Sequence, residues 1–529
     1  MDTLPTASGH HDVAGDLAPF PQALIDTFRA RPGSPAFEHR SRTLSRGEVL
    51  ELIGRCADGL RAAGLGPGRS VAVATDVTPE GFAVHVAAYL VGCRVTGLKP
   101  GMTPAHLAYV LSAGIDALVA DETGATPELL EAAHRVKVLR LGPDLLDAHP
   151  VAEGELTAQG RPDDIAMVTL TSGSTGRPKG CAQTYRSLTL NWSWQPARWT
   201  ERTARLAAGY GRFLLFGTLT SAVMFEHLGL CLLGGGTAVI PEPPLEFPQL
   251  FERHRITACL MTVPRLHHVL DVLRTETESV ESARRTDTSS LEVLLVAGSP
   301  LAPHRLAEAV RRLGRAVHQG YGQTETGMLT LLAPDDMAEW PDQVYDSVGR
   351  AWSGVEIGIR DPEGLPVPVG TVGEIWVRTD SAMAGYWNDE EQTREVLRSG
   401  WVRTRDVGHL DDRGFLRLTG RARDVVIINA IVHYAGAIER ALAAHSDVDE
   451  AYVVGAPDES TGEAAYAFVV PAEGRTPDLA ALRALVTGEL GEASVPATIT
   501  VIAQVPLAPS GKPDKRALMS RVSPPLETP

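Results

Sequence analysis

The chain has 529 residues, too many for one ordinary core, and this length implies two or more domains. At 44% hydrophobic and 22% charged residues it has the composition of a folded globular protein, which excludes collagen-like and broadly disordered classes. The net charge of -16 argues against nucleic acid or an anionic membrane as the main partner.

The first twenty residues are polar and lack a basic patch followed by an apolar run, so they read as a disordered tail and not a signal peptide. Residues 45–63 have helical spacing, with Leu50, Leu52, Ile53, Leu60 and Ala63 among the apolar positions. Residues 70–74 (SVAVA) read as a buried strand, 82–91 as a buried helix and 117–120 as another strand. Residues 166–170 form a strand that runs into a Gly/Ser/Thr loop. A strand at 237–240, a helix at 247–254, strands at 258–261 and 291–297 and a helix at 303–313 continue the rhythm. Alternation of this kind predicts a layered α/β fold with mostly parallel strands.

After Ser347 glycine and proline recur and short strands such as 374–377 alternate, which predicts a β-rich lobe. Past Gly420 a helix at 438–444, strands at 451–454 and 465–470 and a helix at 479–489 make a compact α+β unit of about a hundred residues. The expected organisation is a large α/β domain over 21–422 and a small mobile domain over 423–529, with the boundary near Arg423. The apolar stretches 82–98 and 221–240 are broken by His85 and Arg94, and by Glu226 and His227, so no membrane span is expected.

Five cysteines (Cys56, Cys93, Cys181, Cys231 and Cys259) lack CxxC spacing, so neither a disulfide framework nor a zinc site is indicated. Reduced thiols in a cytoplasmic protein are expected. Lysine is scarce. Lys99, Lys137, Lys179, Lys512 and Lys515 are five among 49 basic residues. A position that keeps the compact ammonium therefore hints at a job a guanidinium cannot do.

The most informative segment is TSGSTGRPKG, from Thr171 to Gly180. Gly173 and Gly176 let the backbone turn sharply and approach an anion closely. The hydroxyls of Thr171, Ser172, Ser174 and Thr175, with backbone N–H groups, can ring a triphosphate, and Lys179 adds a point charge. The pattern is not GxxxxGK[ST], because Lys179 follows a proline and no Ser or Thr comes after it. Further motifs follow in order: AGSPL at 297–301, GYGQTE at 320–325, WVRTRD at 401–406, Gly420-Arg421, and PSGKPDKR at 509–516.

Together these segments resemble the signature motifs of the adenylate-forming superfamily, which includes acyl-CoA and aryl-CoA ligases, peptide-synthetase adenylation domains and firefly luciferase. The resemblance runs from about residue 21 to 518. It implies an ATP- and Mg2+-dependent enzyme that adenylates a small acid and hands the activated group to an acceptor. On the same basis Gly298, Ser299 and Pro300 run along the adenine and acyl sites. Tyr321 and Gly322 lie at the adenine, Thr324 bonds the α-phosphate, and Glu325 holds Mg2+, as suits a carboxylate and a hard cation. Asp406 takes the ribose hydroxyls, with Arg421 on the same nucleotide. Lys512 is the catalytic lysine, and Arg423 occupies the hinge about which the small domain rotates.

Three departures from the family pattern stand out beside Arg423, which stands at a hinge position usually held by Asp or Lys. Arg405 replaces the usual glycine before Asp406, with a local change in the turn expected. Asn429, Ala430, Ile431 and Val432 stand where CoA-using relatives carry glycine and polar residues, which puts the CoA step in question. Tyr185 stands where relatives often have His and is expected to reshape the acyl pocket. Trp192, Trp194 and Trp199 either line an aryl site or are structural, and 209–216 and 218–225 are expected to supply pocket walls.

The leading expectation is an AMP-forming acyl- or aryl-CoA ligase. A second is an adenylating ligase with another acceptor: an amine, a carrier thiol, or nitrite activation as in diazo formation. A third is an inactive nucleotide-binding scaffold, against which Thr175, Glu325 and Lys512 all stand. The oligomeric state is not legible in the sequence.

Overall fold

The computed structural model describes residues 17–152, 154–171, 178–278, 285–341, 343–421, 424–428, 431–458, 460–508 and 512–522. The alternation of strands and helices folds as an α/β molecule with a large N-terminal domain and a smaller C-terminal one. Among the described residues the large domain holds sheets of seven and nine strands and a third, antiparallel sheet.

The seven-stranded sheet runs Gly385–Tyr386, Lys179–Thr184, Ile165–Thr171, Arg94–Gly97, Ser70–Ala74, Ala117–Ala120, Lys137–Arg140. Its last five strands are parallel. The middle strands are short apolar runs buried throughout, as expected of parallel strands covered on both faces. In the nine-stranded sheet the strands from Val317–Gln323 to Pro35–His39 are also parallel. The helix Arg46–Ala62 starts at a capping box in which Ser45 and Glu48 satisfy each other's backbone N–H groups. With the helices Pro79–Leu90 and Ala222–Gly234 it joins both sheets in one continuous core.

The parallel pattern stops at the sheet edges, and there the motif loops sit. Ile165–Thr171 pairs antiparallel with Lys179–Thr184, and Val317–Gln323 with Gly327–Leu332. The β-rich lobe is the third sheet, built on Val355–Arg360, Gly373–Thr379, Trp401–Leu410 and Leu416–Arg421. The smaller domain is a fourth sheet whose long hairpin, Val448–Asp458 and Gly462–Pro471, packs on the helix Ala435–Ala443. No helix among the described residues is long and apolar enough to cross a membrane.

The disordered tail expected over 1–20 needs correction at its end. Phe20 is 3% exposed, packs edge-on against Tyr89 and Trp194, and donates its backbone N–H to Thr189 at 3.0 Å. Residues 1–16 lie outside the described residues.

The two domains meet at a buried ionic cluster. Arg305, on the helix Pro303–Leu313, reaches across to a bidentate pair with Asp449 and also donates to Glu308 at 2.9 Å. Nearby, His267 Nδ1 and Glu450 are 2.7 Å apart, and Arg274 donates to Glu473 at 3.0 Å. Removing one partner of such a pair strands a charge away from water. Arg305→Met is expected to weaken docking of the smaller domain by about 3–5 kcal/mol. The readout is a more open envelope in small-angle scattering, with the thermal midpoint of the large domain little changed.

Candidate active site

The motif loops lie beyond the carboxyl ends of parallel strands, where open α/β sheets place their ligands. The turn after Val293–Val296 is made by Gly298, whose φ of 99° is in the left-handed region open to glycine. A Cβ on Gly298 would lie 3.8 Å from Cε of Lys512, so the lysine stem passes directly over this turn. In the next hairpin a Cβ on Gly322 would lie 2.3 Å from the Gly327 carbonyl oxygen, and only glycine lets the two backbones close. Thr324 and Glu325 occupy the tip of that hairpin.

Glu325 ties the two large sheets together. One of its carboxylate oxygens accepts from the Tyr386 hydroxyl at 2.8 Å, and its carbonyl accepts from Met383 N–H at 2.8 Å. Its second carboxylate oxygen, Oε2, is an oxygen donor of the kind that suits a hard cation such as Mg2+. Lys179 lies 5.4 Å from the centre of the Tyr386 ring and bonds the amide oxygen of Gln392.

Asp406 is aimed by an irregularity in its strand. Trp376 pairs with Arg403 and Glu374 with Val407, so Thr404, Arg405 and Asp406 together face Ile375. Bulges of this kind re-aim side chains. Arg405, at the bulge, has a φ of 61°, the left-handed conformation in which a glycine sits freely, and it pairs with Glu395 at 2.6 Å. Arg405 thus holds the left-handed turn itself, with Asp406 buried beside it. Its carboxylate accepts from the Tyr321 hydroxyl at 2.7 Å and from Arg421 Nε at 3.1 Å. Burial holds its pKa above the ordinary value, against the pull of Arg421 and Tyr321.

Lys512 comes from the smaller domain. The Asp514 N–H donates to Pro506 and Lys515 bridges Asp424 and Glu439 at 2.5 and 2.6 Å, which fixes the segment that carries it. Water still reaches Lys512. Even so, the crowding of protein atoms around its ammonium lowers its pKa, with Arg421 adding to the effect and Glu325 and Asp406 opposing it. Lys99 joins the group. It donates to the Leu170 carbonyl at 2.7 Å, and its pKa is lowered by burial and then by the Lys512 charge.

Beside Thr324 lie two narrow adjoining cavities, each with room for about one water as the side chains stand, that share Met167, Ala222 and Phe225. The first is closed by Thr324, Gly327, Leu188, Trp194 and Glu226, and the second runs toward Val95, Leu219 and His85. The expectation for 218–225 is met by Leu219 to Ala222 and Phe225. The expectation for 209–216 is not, because Arg212–Leu214 is an inner strand of the nine-stranded sheet. Tyr185 is also corrected: it is buried in the core, its hydroxyl bonding the Tyr89 and Cys93 carbonyls, and it lines neither cavity. Of the three tryptophans only Trp194 lines the cavity. Trp192 packs on Trp352, and Trp199 donates to the Trp192 carbonyl.

Gly298, Glu325, Asp406 and Arg421 thus gather around Lys512, Tyr321 bonds Asp406, and Ser299, Pro300, Gly322 and Thr324 are their chain neighbours, while Thr171 and Lys179 pair on the adjoining hairpin. Ser172, Gly173, Ser174, Thr175 and Gly176 lie outside the described residues, as do Arg423, Asn429 and Ala430. Sequence reasoning missed Lys99, Tyr386, Gln392 and Glu226. For Lys99 the scarcity of lysine was a usable signal. The other three are reached only through contacts distant in sequence.

A family model described as AMP-binding enzyme matches residues 25–387, and one described as AMP-binding enzyme C-terminal domain matches residues 437–512. The chain is 31% identical to the medium/long-chain-fatty-acid–CoA ligase FadD8 of Mycobacterium tuberculosis, over 96% of this chain and 92% of that one. It is 30% identical to the fatty acid–[acyl-carrier-protein] ligase ScoC of Streptomyces coeruleorubidus, over 94% and 96%. Among solved structures, the amide bond synthetase McbA from Marinactinospora thermotolerans superposes with a TM-score of 0.82 at 33% identity, covering 94% of this chain and 99% of that one.

Two outcomes are expected from substitutions in the Asp406 strand. Asp406→Ala should weaken ATP binding about tenfold or more in titration calorimetry, the scale of a lost hydrogen bond to a charged group. Arg405→Gly should keep that affinity and change stability by no more than about 1 kcal/mol, since glycine adopts this φ without steric cost.

Proposed function

The chain belongs to the AMP-binding enzyme family and is an AMP-forming acid ligase, and from this premise we propose that it joins an apolar carboxylic acid to ATP as an acyl adenylate and passes the acyl group to the thiol of CoA. The observation that supports this reading is the gathering of Glu325, Asp406 and Arg421 around Lys512, with Thr324, next to Glu325, lining a mostly apolar cavity.

In the first half-reaction a carboxylate oxygen of the acid attacks the α-phosphorus. A new O–P bond forms, the bond to the β-phosphate breaks, and pyrophosphate leaves. Asp406 and Arg421 hold the nucleotide, Tyr321 flanks its base, and Thr324 orients the α-phosphate. Lys512 offsets the negative charge that grows on the phosphorus oxygens, an electrostatic effect already in place before reaction. Mg2+ held at Glu325 would supply further charge neutralisation to the phosphates. Lys179, at the hairpin edge, faces the outer phosphates. In the second half-reaction the acceptor sulfur attacks the acyl carbon and AMP departs, after rotation of the smaller domain about a hinge at Arg423.

A second reading, transfer to an amine, is favoured by the hairpin Val425–Ile428 and Ile431–Tyr434. It exposes Ile427 and Ile431, on opposite sides of the ribbon, at 45% and 57%, apolar side chains with little to offer the amides and phosphates of CoA. The likeness to an amide bond synthetase supports the same reading.

The deciding measurement is pyrophosphate release over fatty, aryl and hydroxycinnamate-like acids and nitrite, with CoA, with an amine and with neither. CoA-stimulated release and a thioester by mass are expected, and an amide formed without CoA would establish the second reading. Lys512→Ala should slow adenylation about 100- to 1000-fold, the scale set by single charge-stabilising groups. Lys512 acts protonated and its pKa is depressed, so adenylation should fall with rising pH below the ordinary lysine value of about 10.4. Lys512→Arg, which stays charged, should remove that alkaline limb from the pH profile.

A further inference from the structure

Glu226 lies in a helix, Ala222–Gly234, whose residues from Met224 to Leu233 are all buried. Its neighbour His227 is accounted for, with Nδ1 2.6 Å from the Tyr210 hydroxyl. Glu226 is not. It is 7% exposed, and Oε1 accepts one hydrogen bond, from the Asn191 side-chain amide at 2.9 Å. Asn191 is oriented for this purpose. Its own oxygen accepts from the Ser193 N–H at 2.9 Å and the Ser193 hydroxyl at 2.7 Å, so its NH2 faces the carboxylate. Oε2 of Glu226 has no protein partner among the described residues, and the side chain lines the cavity that also touches Thr324.

A carboxylate here is costly, because most of the other walls are apolar (Met167, Leu188, Trp194, Ala222 and Phe225), with Gln183 and Thr324 the polar side chains besides Asn191. Burial pushes its pKa up to about 7, with Asn191 working in the opposite direction. A leucine would pack at this position without that cost. A half-satisfied acceptor in an apolar cavity is a site for a donor brought in from outside.

Resting on the proposed acid-adenylating activity, we propose that Glu226 is a specificity-determining residue that accepts a hydrogen bond from an N–H or O–H group on the apolar tail of the acid substrate. The carboxyl end of the acid lies toward Thr324, and the donor-bearing tail lies against Glu226. The substrate class is thus a hydroxylated aryl or N–H heteroaromatic acid, in preference to a plain hydrocarbon one.

The test compares matched acids in the pyrophosphate-release assay: 3- and 4-hydroxyphenylpropanoate against phenylpropanoate, and indole acids against their benzothiophene isosteres. The wild type should favour the donor-bearing member of at least one pair about tenfold or more in kcat/KM, as sites built to bond a substrate hydroxyl or N–H do. Glu226→Leu should abolish that preference by raising KM for the donor-bearing acid relative to that for its partner. Glu226→Gln, which keeps the volume and one acceptor, should restore part of it and guards against a folding defect. Adenylation without preference in any pair would overturn the inference and leave the ligase reading standing. Equal losses for both members in both variants, or a loss confined to the transfer step, would also overturn it. Absence of pyrophosphate release from every acid would remove the ligase reading and this inference with it.

Discussion

The proposed reaction centre depends on one cation delivered across a domain boundary. Lys512 belongs to the smaller domain, yet its stem lies over Gly298 and its charge is felt by Lys99, Glu325 and Asp406 in the large one. Burial is the main cause of the depressed pKa values of Lys99 and Lys512, and repulsion between neighbouring positive groups adds to that cost. The buried pairing of Arg305 with Asp449 offsets it by holding the two domains in register. Lys515 performs a similar service within the smaller domain, anchoring the segment three residues from the functional lysine.

The large domain meets this cation with rigid edges. Its parallel strands make buried platforms, and the antiparallel hairpins at their ends bring polar groups out of the core. Gly322 allows one hairpin to close tightly enough to present Thr324 and Glu325, and the bulge at Thr404 to Asp406 turns a carboxylate out of an otherwise regular strand. Arg405 takes up the left-handed turn that this requires. Local strain at functional positions is tolerated where the surrounding sheet fixes the geometry. Pairing of Glu325 with Tyr386 then joins this edge to the neighbouring sheet, so that nucleotide and acid sites share one frame.

The cavity beside Thr324 shows the opposite balance. Its walls are apolar and come from the core that joins the two large sheets, and Phe20 packs behind Trp194 and Phe225. Against that background the few polar side chains stand out, because each must be satisfied by the protein or by a ligand. Asn191 and Ser193 supply only part of what Glu226 needs. On the proposed function, recognition of the acid and activation of its carboxyl group are handled by different physics, burial in the one case and preorganised charge in the other.

The elements and the described turns were legible in the sequence, because both are local. Apolar runs such as Ser70–Ala74 and the capped helix Arg46–Ala62 follow from periodicity and from Ser45, and glycine-rich turns follow from backbone sterics. Five lysines in an arginine-rich chain also marked Lys179 and Lys512 in advance. Only the tertiary structure decided what depends on contacts far apart in sequence. It buried Tyr185 against Tyr89 and Cys93, brought Tyr386 to Glu325, and left Glu226 with a single partner from another segment. Motif spacing can specify how a loop bends, but side-chain satisfaction in a core is settled by packing, and packing is a property of the whole fold.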